Sequence, residues 1–528
     1  MSREDAEDGD VAATPSAEGR CATVSCWHLP FDETAMTHPT PRRDRPARLV
    51  PFALWSFVLS LSMACTSDAP PADPQSVAQW TRTSLALVRS ERLGPPVASR
   101  ISAYASLALY EGYAADRRSG LRSLEGRLNG LKDLPRVPEG AWVDGATVAA
   151  VTERVVLDSL FRDGFASSLH TIDSLAEAQV ASRVAVGLSD ATRERSEAHG
   201  RALAAALLAW AAEDGFFATR GRPWVAPKRR DQWENTATLD QYVPRTLSGQ
   251  SDFVSTTNPN VALNAAASEK EMFANRPKSP GANTTLPTFN PTRPTEPYWG
   301  TLRAFVVKPS EPCEPPPLPA YSEQRGSPFW EMGKAFHDSV KAITPEQKQI
   351  ALFWADNPVA TGTPGFHWIS VVNQMIARQQ LTAPQAAELY ALTSIAIADA
   401  FIGCWKEKYQ SLVVRPVAYV QRVFDPDYRT VIPTPPFPEY TSGHSVQSAA
   451  AVEVLTAILG DSIAFDDSSQ VDVGQPPRHF ASFNAARDEV AWSRVWAGVH
   501  YLPAVIDGVT QGQCIGRQVV ALRSRAAP

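Results

Sequence analysis

Three short segments near the C-terminus hold the residue types able to do chemistry. Lys408 is followed by six residues and Arg415-Pro416; Thr441-Ser442-Gly443-His444 comes next; Ser493-Arg494 is followed by five residues and His500. Together they supply the parts of a tight pocket for a tetrahedral or trigonal oxyanion. Arg presents a planar fork to such a guest, and Lys a movable point charge. Ser442 stands before the Ala-rich stretch from Ser445 to Leu459, where a Ser caps a helix whose first N–H groups point outward as anion donors. Gly443 lets an oxyanion come close to the main chain. His500 could serve as a nucleophile or as the single nitrogen ligand of a metal-oxo centre, and His444 could move a proton. Each piece alone has a plainer reading: a helix cap, a solvated cation, or a satisfied core histidine, as His337, His367 and His479 can be. Arg415, however, lies in Val413-Val414-Arg415-Pro416-Val417, an apolar setting where a charge needs a partner. Order and spacing, more than any one residue, carry the reading.

Helices must bring these groups together. Thr382-Ala383-Pro384-Gln385 has the hydroxyl and amide of a capping box and opens a helix running to about Lys408. Arg415-Pro416 opens the next helix, since Pro suits a first helical position. Two cations therefore converge from a helix end and a helix start. Thr344-Pro345-Glu346-Gln347 marks another helix start. Farther upstream, residues 76–220 read as helices: Val97, Ile101, Tyr104 and Ala108 form one buried stripe, and Leu203, Leu207 and Trp210 form another ahead of a stop at Gly215. Residues 221–330 change character, rich in Pro, Asn, Thr and Ser, and are expected to wrap two helical halves. Gly508, Gly512 and Gly516 line one helix face and predict close helix packing, because their spacing does not fit a nucleotide-binding loop. Strand-like alternation is scarce, so the expected fold is all-α: a helical bundle at 79–230, a long connector at 231–330 packed on the core, and a second bundle at 331–525 carrying the pocket.

Composition narrows the function. The 528-residue chain is 44% hydrophobic and 20% charged with net charge −6, and lacks the basic stripe of a nucleic-acid binder. Arg42, Arg43, Arg45 and Arg48 precede an apolar run from Leu49 to Met63 that is interrupted by Pro51 and shorter than the roughly 20 residues of a spanning helix. This predicts a signal peptide over 36–65, with Met36 upstream and residues 1–35 as an over-extended start or a leader. Leu61-Ser62-Met63-Ala64-Cys65 resembles a bacterial lipoprotein processing site, which makes Cys65 the acylated first residue and 66–78 a spacer. The folded part is then expected outside the cytoplasm, attached to the cell envelope through lipid. Of the six cysteines, Cys313, Cys404 and Cys514 follow that cut, enough for one disulfide; Cys404 and Cys514 flank the motifs and are the pair to test. No Cys-x-x-Cys or His-rich spacing suggests zinc.

In order and spacing the three segments resemble the signature of the type 2 phosphatidic acid phosphatase and vanadium-dependent haloperoxidase superfamily. Trp299-Gly300, Thr344-Pro345-Glu346-Gln347, Phe353-Trp354-Ala355-Asp356, Thr363-Pro364-Gly365-Phe366-His367-Trp368 and Ala398-Asp399-Ala400 extend the resemblance to its bacterial haloperoxidase-like branch, over residues 80–525. It implies two helical bundles and a pocket for vanadate or phosphate. His500 would bind vanadium, Lys408, Arg415, Ser442, Gly443 and Arg494 would hold its oxygens, and His444 would handle protons, with hydrogen peroxide and halide as substrates. In the phosphatase alternative the pocket takes a phosphate ester, His500 attacks phosphorus and His444 protonates the leaving alcohol. A third reading is an envelope lipoprotein that binds an oxyanion without turnover. Trp405, three before Lys408, and Phe437, seven before His444, resemble the aromatic pair of the chloroperoxidase-type enzymes and favour the first; packing is their plainer role. Two positions depart from the pattern. Thr441 replaces the usual Pro, and Ala504 stands where the family often has an Asp that orients the last His. Asp507 or a backbone carbonyl would have to substitute.

Overall fold

The computed structural model describes residues 69–242, 286–358 and 361–524. The leader, the signal segment with Cys65, and residues 243–285 of the connector lie outside the described residues. The fold is all-α.

Five long helices come first: α1 (Gln75–Ser90), α2 (Pro95–Ala114), α3 (Gly145–Leu160), α4 (Ala166–Ala185) and α5 (Asp190–Ala212). Pro95 and Pro96 open α2, where missing N–H groups cost nothing, and the predicted stripe of Val97, Ile101, Tyr104 and Ala108 is buried along it. Leu203, Leu207 and Trp210 are likewise buried on α5, and Gly215 follows with a left-handed backbone. After the connector come α6 (Pro328–Lys341), α7 (Pro345–Phe353), α8 (Thr363–Arg378), α9 (Ala383–Ser411), α10 (Pro416–Val423), α11 (Gly443–Leu459), α12 (Phe483–Trp496) and α13 (Leu502–Val520). Thr344 and Thr382 both make the capping boxes read from sequence. α9 is buried on most sides, packing on α2, α11 and α13, and so forms the axis of the core.

Glycines decide how near α13 comes to the site. A methyl group on Gly512 would lie 2.1 Å from the Val446 carbonyl oxygen, and one on Gly508 would lie 3.0 Å from Ser445 Cβ. The glycine face therefore presses α13 against the helix that begins at Ser442.

A two-stranded antiparallel sheet, β1 (Phe465–Asp467) with β2 (Arg478–Phe480), pairs Phe465 with Phe480 and Asp467 with Arg478. Three-residue strands are too short to display alternation, so the sequence gives no sign of it.

Residues 286–327 run over the helices as a strap tied by isolated bonds. The Asp399 carboxylate accepts the backbone N–H groups of Phe305, Val306 and Val307 at 2.6, 2.8 and 3.0 Å. The Thr295 carbonyl accepts from Trp405 Nε1 at 3.0 Å and from the Tyr409 hydroxyl at 2.7 Å, while Thr295 N–H donates to the Pro436 carbonyl at 2.9 Å. The disulfide also ties this strap, and it corrects the expected pairing: Cys313 bonds Cys514, with Cα atoms 5.7 Å apart. Cys404 is a free, buried thiol whose S–H donates to the Thr441 carbonyl at 3.5 Å. Nearness to the motifs in sequence says nothing about which side of a helix a cysteine occupies. Cys404 faces inward from α9, and Cys514 faces the strap.

Candidate oxyanion site

Each motif residue is placed by a helix terminus. Arg415 is the N-cap of α10, Ser442 is the N-cap of α11, Gly443 is its first helical residue, Arg494 sits in the last turn of α12, and Lys408 in the last turn of α9. Ser442 Oγ accepts from the N–H of Ser445 at 3.4 Å and from its hydroxyl at 2.9 Å. The first turn of a helix leaves N–H groups without intrahelical carbonyl acceptors, and Gly443 and His444 bring that end of α11 to the pocket. Gly443, His444, Arg494 and His500 line one pocket, and Arg415 joins it by placing Nη1 3.1 Å from His500 Nε2.

Burial makes these charges consequential. Lys408, Arg415, Arg494 and His500 are each at most 1% exposed. Arg415 donates through Nε to the Phe437 carbonyl and through Nη1 to the Val499 carbonyl, both at 2.9 Å, and Arg494 Nη1 donates to the Trp354 carbonyl at 3.0 Å. Lys408 Nζ donates to the carbonyls of Pro438 at 3.0 Å, Glu439 at 2.9 Å and Thr441. It therefore stands behind the Pro438–Thr441 segment and acts on the pocket as a charge. Burial, then the charge of Arg415, pulls the Lys408 ammonium down to about 8, against the pull of Cys404 and Glu439. Arg415 Nη2, Arg494 Nε and His444 Nε2 are buried and have no hydrogen-bond partner among the described residues. Unsatisfied buried donors are costly, and an oxyanion is the guest that would satisfy guanidinium donors. The residues present therefore fit a vanadate or phosphate group.

His500 is fixed in one tautomer. Its Nδ1 donates to Glu439 Oε1 at 2.9 Å, an oxygen that also accepts the Tyr501 N–H at 3.0 Å. Its Nε2 faces a guanidinium, which can only donate, so the ring is neutral with its lone pair on Nε2. Burial and the charges of Arg415, Lys408 and Arg494 all hold His500 well below its ordinary pKa. Glu439 thus does the orienting that Ala504 cannot. Asp507 does not substitute, because it instead accepts from the Tyr440 hydroxyl at 2.9 Å. Burial pushes the Glu439 carboxyl up to about 7, although Arg415 and Lys408 oppose the rise.

Aromatic rings form the wall. Trp405 and Phe437 line the pocket with centroids 4.8 Å apart, and Lys408 Nζ and Arg415 Cζ lie 5.1 and 5.0 Å from the Phe437 ring. The two aromatics therefore act as a wall and as cation partners at once. Tyr242, Phe289, Ile432 and a run of prolines continue the apolar lining outward.

Behind His444 lies a cluster to which sequence reasoning gave no role. His444 Nε2 is 3.6 Å from Asp356 Oδ2, and Asp356 Oδ1 is 2.8 Å from His367 Nδ1. His367 Nε2 is in turn 2.7 Å from Asp467 Oδ2. Burial, then Arg494, draws His444 down to about 4, with Asp356 opposing. Asp356 and His367 sit in stretches already similar to the family, which was the available signal; Asp467 offered none. Of the other histidines, His337 is buried and stacked on Phe424, whereas His479 is exposed beside Asp466.

Known proteins resemble this chain in sequence and fold. Residues 388–527 fit the VCPO second helical-bundle domain family. The vanadium chloroperoxidase of Curvularia inaequalis is 26% identical over 219 residues, covering 30% of this chain and 36% of that protein, so the match spans about a third of that relative's length. A holo-type bacterial vanadium-dependent chloroperoxidase shares the fold, with a TM-score of 0.59 and 15% identity over 86% of this chain and 98% of that one. The structure described as the first bacterial vanadium-dependent iodoperoxidase superposes with a TM-score of 0.69 at 30% identity, covering 87% of this chain and 99% of that one. With that identity across nearly the whole of a solved relative, and the motif residues gathered at one buried site, the chain belongs to the vanadium-dependent haloperoxidase family.

Proposed function

We propose that this protein is a vanadium-dependent haloperoxidase that uses hydrogen peroxide to oxidise halide to hypohalous acid, consuming one proton and releasing water. One observation carries the reading: guanidinium donors left unsatisfied in a buried pocket surround a neutral histidine whose Nε2 lone pair is held ready by Glu439. Vanadate, when bound, supplies a Lewis acid that activates peroxide without changing oxidation state. His500 Nε2 would be its protein ligand, and Arg415, Arg494, Ser442 and the Gly443 N–H would hold its oxygens, with Lys408 adding charge from behind. His444, neutral at pH 7, would take up a proton from incoming peroxide and return it to the departing oxygen. Trp405 and Phe437 exclude water and so strengthen these interactions.

Vanadate-free protein titrated with orthovanadate should oxidise iodide or bromide with peroxide only as the metal loads, with bound vanadium approaching one per chain. Hydrolysis of phosphate monoesters that vanadate inhibits, with no halide oxidised, would instead establish a phosphatase. Vanadate binding with neither activity would leave an oxyanion-binding protein.

We further propose that the folded part works outside the cytoplasm on the bacterial cell envelope, held by lipid at Cys65. The Cys313–Cys514 disulfide supports this, since such bonds persist in oxidising compartments. Radiolabelled palmitate should enter the protein and be lost in Cys65→Ser.

A further inference from the structure

His367 has a bonding pattern that fixes its charge. Both ring nitrogens face carboxylate oxygens, Nδ1 toward Asp356 at 2.8 Å and Nε2 toward Asp467 at 2.7 Å. An ionised carboxylate only accepts hydrogen bonds, and a neutral imidazole has one N–H to give. Two good contacts therefore require two N–H groups. The ring also stacks on Trp354 with centroids 4.3 Å apart, a face that favours a cation. His367 and both carboxylates are at most 4% exposed, so no solvent competes for these bonds.

The cluster is built to aim one oxygen. Asp356 Oδ1 is taken by His367 Nδ1 at 2.8 Å and by Gln470 Nε2, which donates to it at 2.6 Å and lies farther from Nδ1, at 3.1 Å. Oδ2 is left facing His444 Nε2 at 3.6 Å, a buried nitrogen with no hydrogen-bond partner among the described residues. Asp467 is in turn held by the backbone N–H of Ser469 at 2.9 Å, and the Ser469 hydroxyl lies 2.7 Å from His367 Nε2. Charged groups reach the cluster from each neighbouring element: Asp356 after α7, Asp467 on β1, His444 on α11 and Arg494 on α12.

We propose that His367 is a permanently protonated positioning residue, an imidazolium clamped between Asp356 and Asp467 that keeps Asp356 ionised and aimed at the proton-handling His444. Its charge offsets the two carboxylates, so Asp356 stays a base-side partner for His444 at any working pH. Burial works against the imidazolium, but Asp356 and Asp467 outweigh it and raise His367 to about 10. Burial likewise opposes ionised Asp356, and His367 leads the groups that hold its carboxyl well below the usual range. The inference rests on the haloperoxidase reading only for the role of His444.

The test needs no vanadium. In the intact protein labelled with 15N-histidine, one of the nine histidines, assigned by its loss in His367→Gln, should show both nitrogens protonated from pH 5 to 9. A neutral ring at pH 8 would overturn the proposal. With 13C-carboxyl aspartate, the Asp356 signal, assigned with Asp356→Asn, should stay ionised below pH 4 and take its proton at least roughly two pH units higher in His367→Gln. No movement would overturn the positioning role. If His367→Gln does not fold, Asp467→Asn serves: His367 should then lose its proton roughly one to three pH units earlier, and an unchanged midpoint counts against the clamp. In loaded enzyme, His367→Gln should move the acid limb of halide oxidation to higher pH, whereas a merely structural role would lower activity equally at all pH. Should no halide be oxidised at all, the haloperoxidase reading fails while the labelled spectra still decide this one.

Discussion

His444 separates two regions with opposite electrostatics. On the pocket side, Lys408, Arg415 and Arg494 surround a His500 that is neutral because one nitrogen donates to Glu439 and the other accepts from a guanidinium. On the far side, Asp356 and Asp467 each set a carboxylate oxygen against one nitrogen of His367, at 2.8 and 2.7 Å. Both rings are almost wholly buried. Depth alone would discharge both, so the chemistry of the partners decides the charge. A buried histidine next to an active site thus says little until the donors and acceptors at each nitrogen are identified.

The strongest way to break the pocket side is His500→Ala. Steady-state halide oxidation should fall by about three orders of magnitude or more, while circular dichroism stays unchanged. Glu439→Ala frees the ring without removing it, and should lower vanadate affinity or turnover by about 10 to 100-fold. Equilibrium titration with vanadate measures the first directly. The pH dependence of that titration sharpens the contrast further. Lys408 in the free protein is drawn down to about 8 by burial first and Arg415 next. An oxyanion prefers the protonated amine, so affinity from this group is fully present below pH 8 and weakens above it by up to about tenfold per pH unit. Affinity that is flat from pH 7 to 10 would count against Lys408 as a charge on the pocket. The smallest effect on the site is expected from Cys313→Ser, which should cost about 2 to 4 kcal/mol of stability in denaturant titrations and leave vanadate affinity nearly unchanged.

What the sequence made legible was local. Thr344 and Thr382 announce their helices by spacing alone, Pro416 and Ser442 mark the starts that carry Arg415 and Gly443, and the glycine face of α13 follows from a four-residue repeat. Groups paired by tertiary distance stayed hidden. Glu439 meets His500 across 61 positions, and Asp467 meets His367 across 100. Nothing in the local sequence Pro438-Glu439-Tyr440 says that the carboxylate turns toward His500 while Asp507 turns toward Tyr440. Cys313 escaped for the same reason: its partner lies 201 residues away.

Thr295 sits in a stretch without regular secondary structure, yet its carbonyl anchors Trp405 and Tyr409 and its N–H anchors the Pro436 turn. Displacing the Thr295 backbone would move an indole, a phenol and a proline corner together, with every motif side chain left as it is. The strap is therefore where a protein engineer can reshape the apolar wall of the pocket without touching the residues that line its charged end.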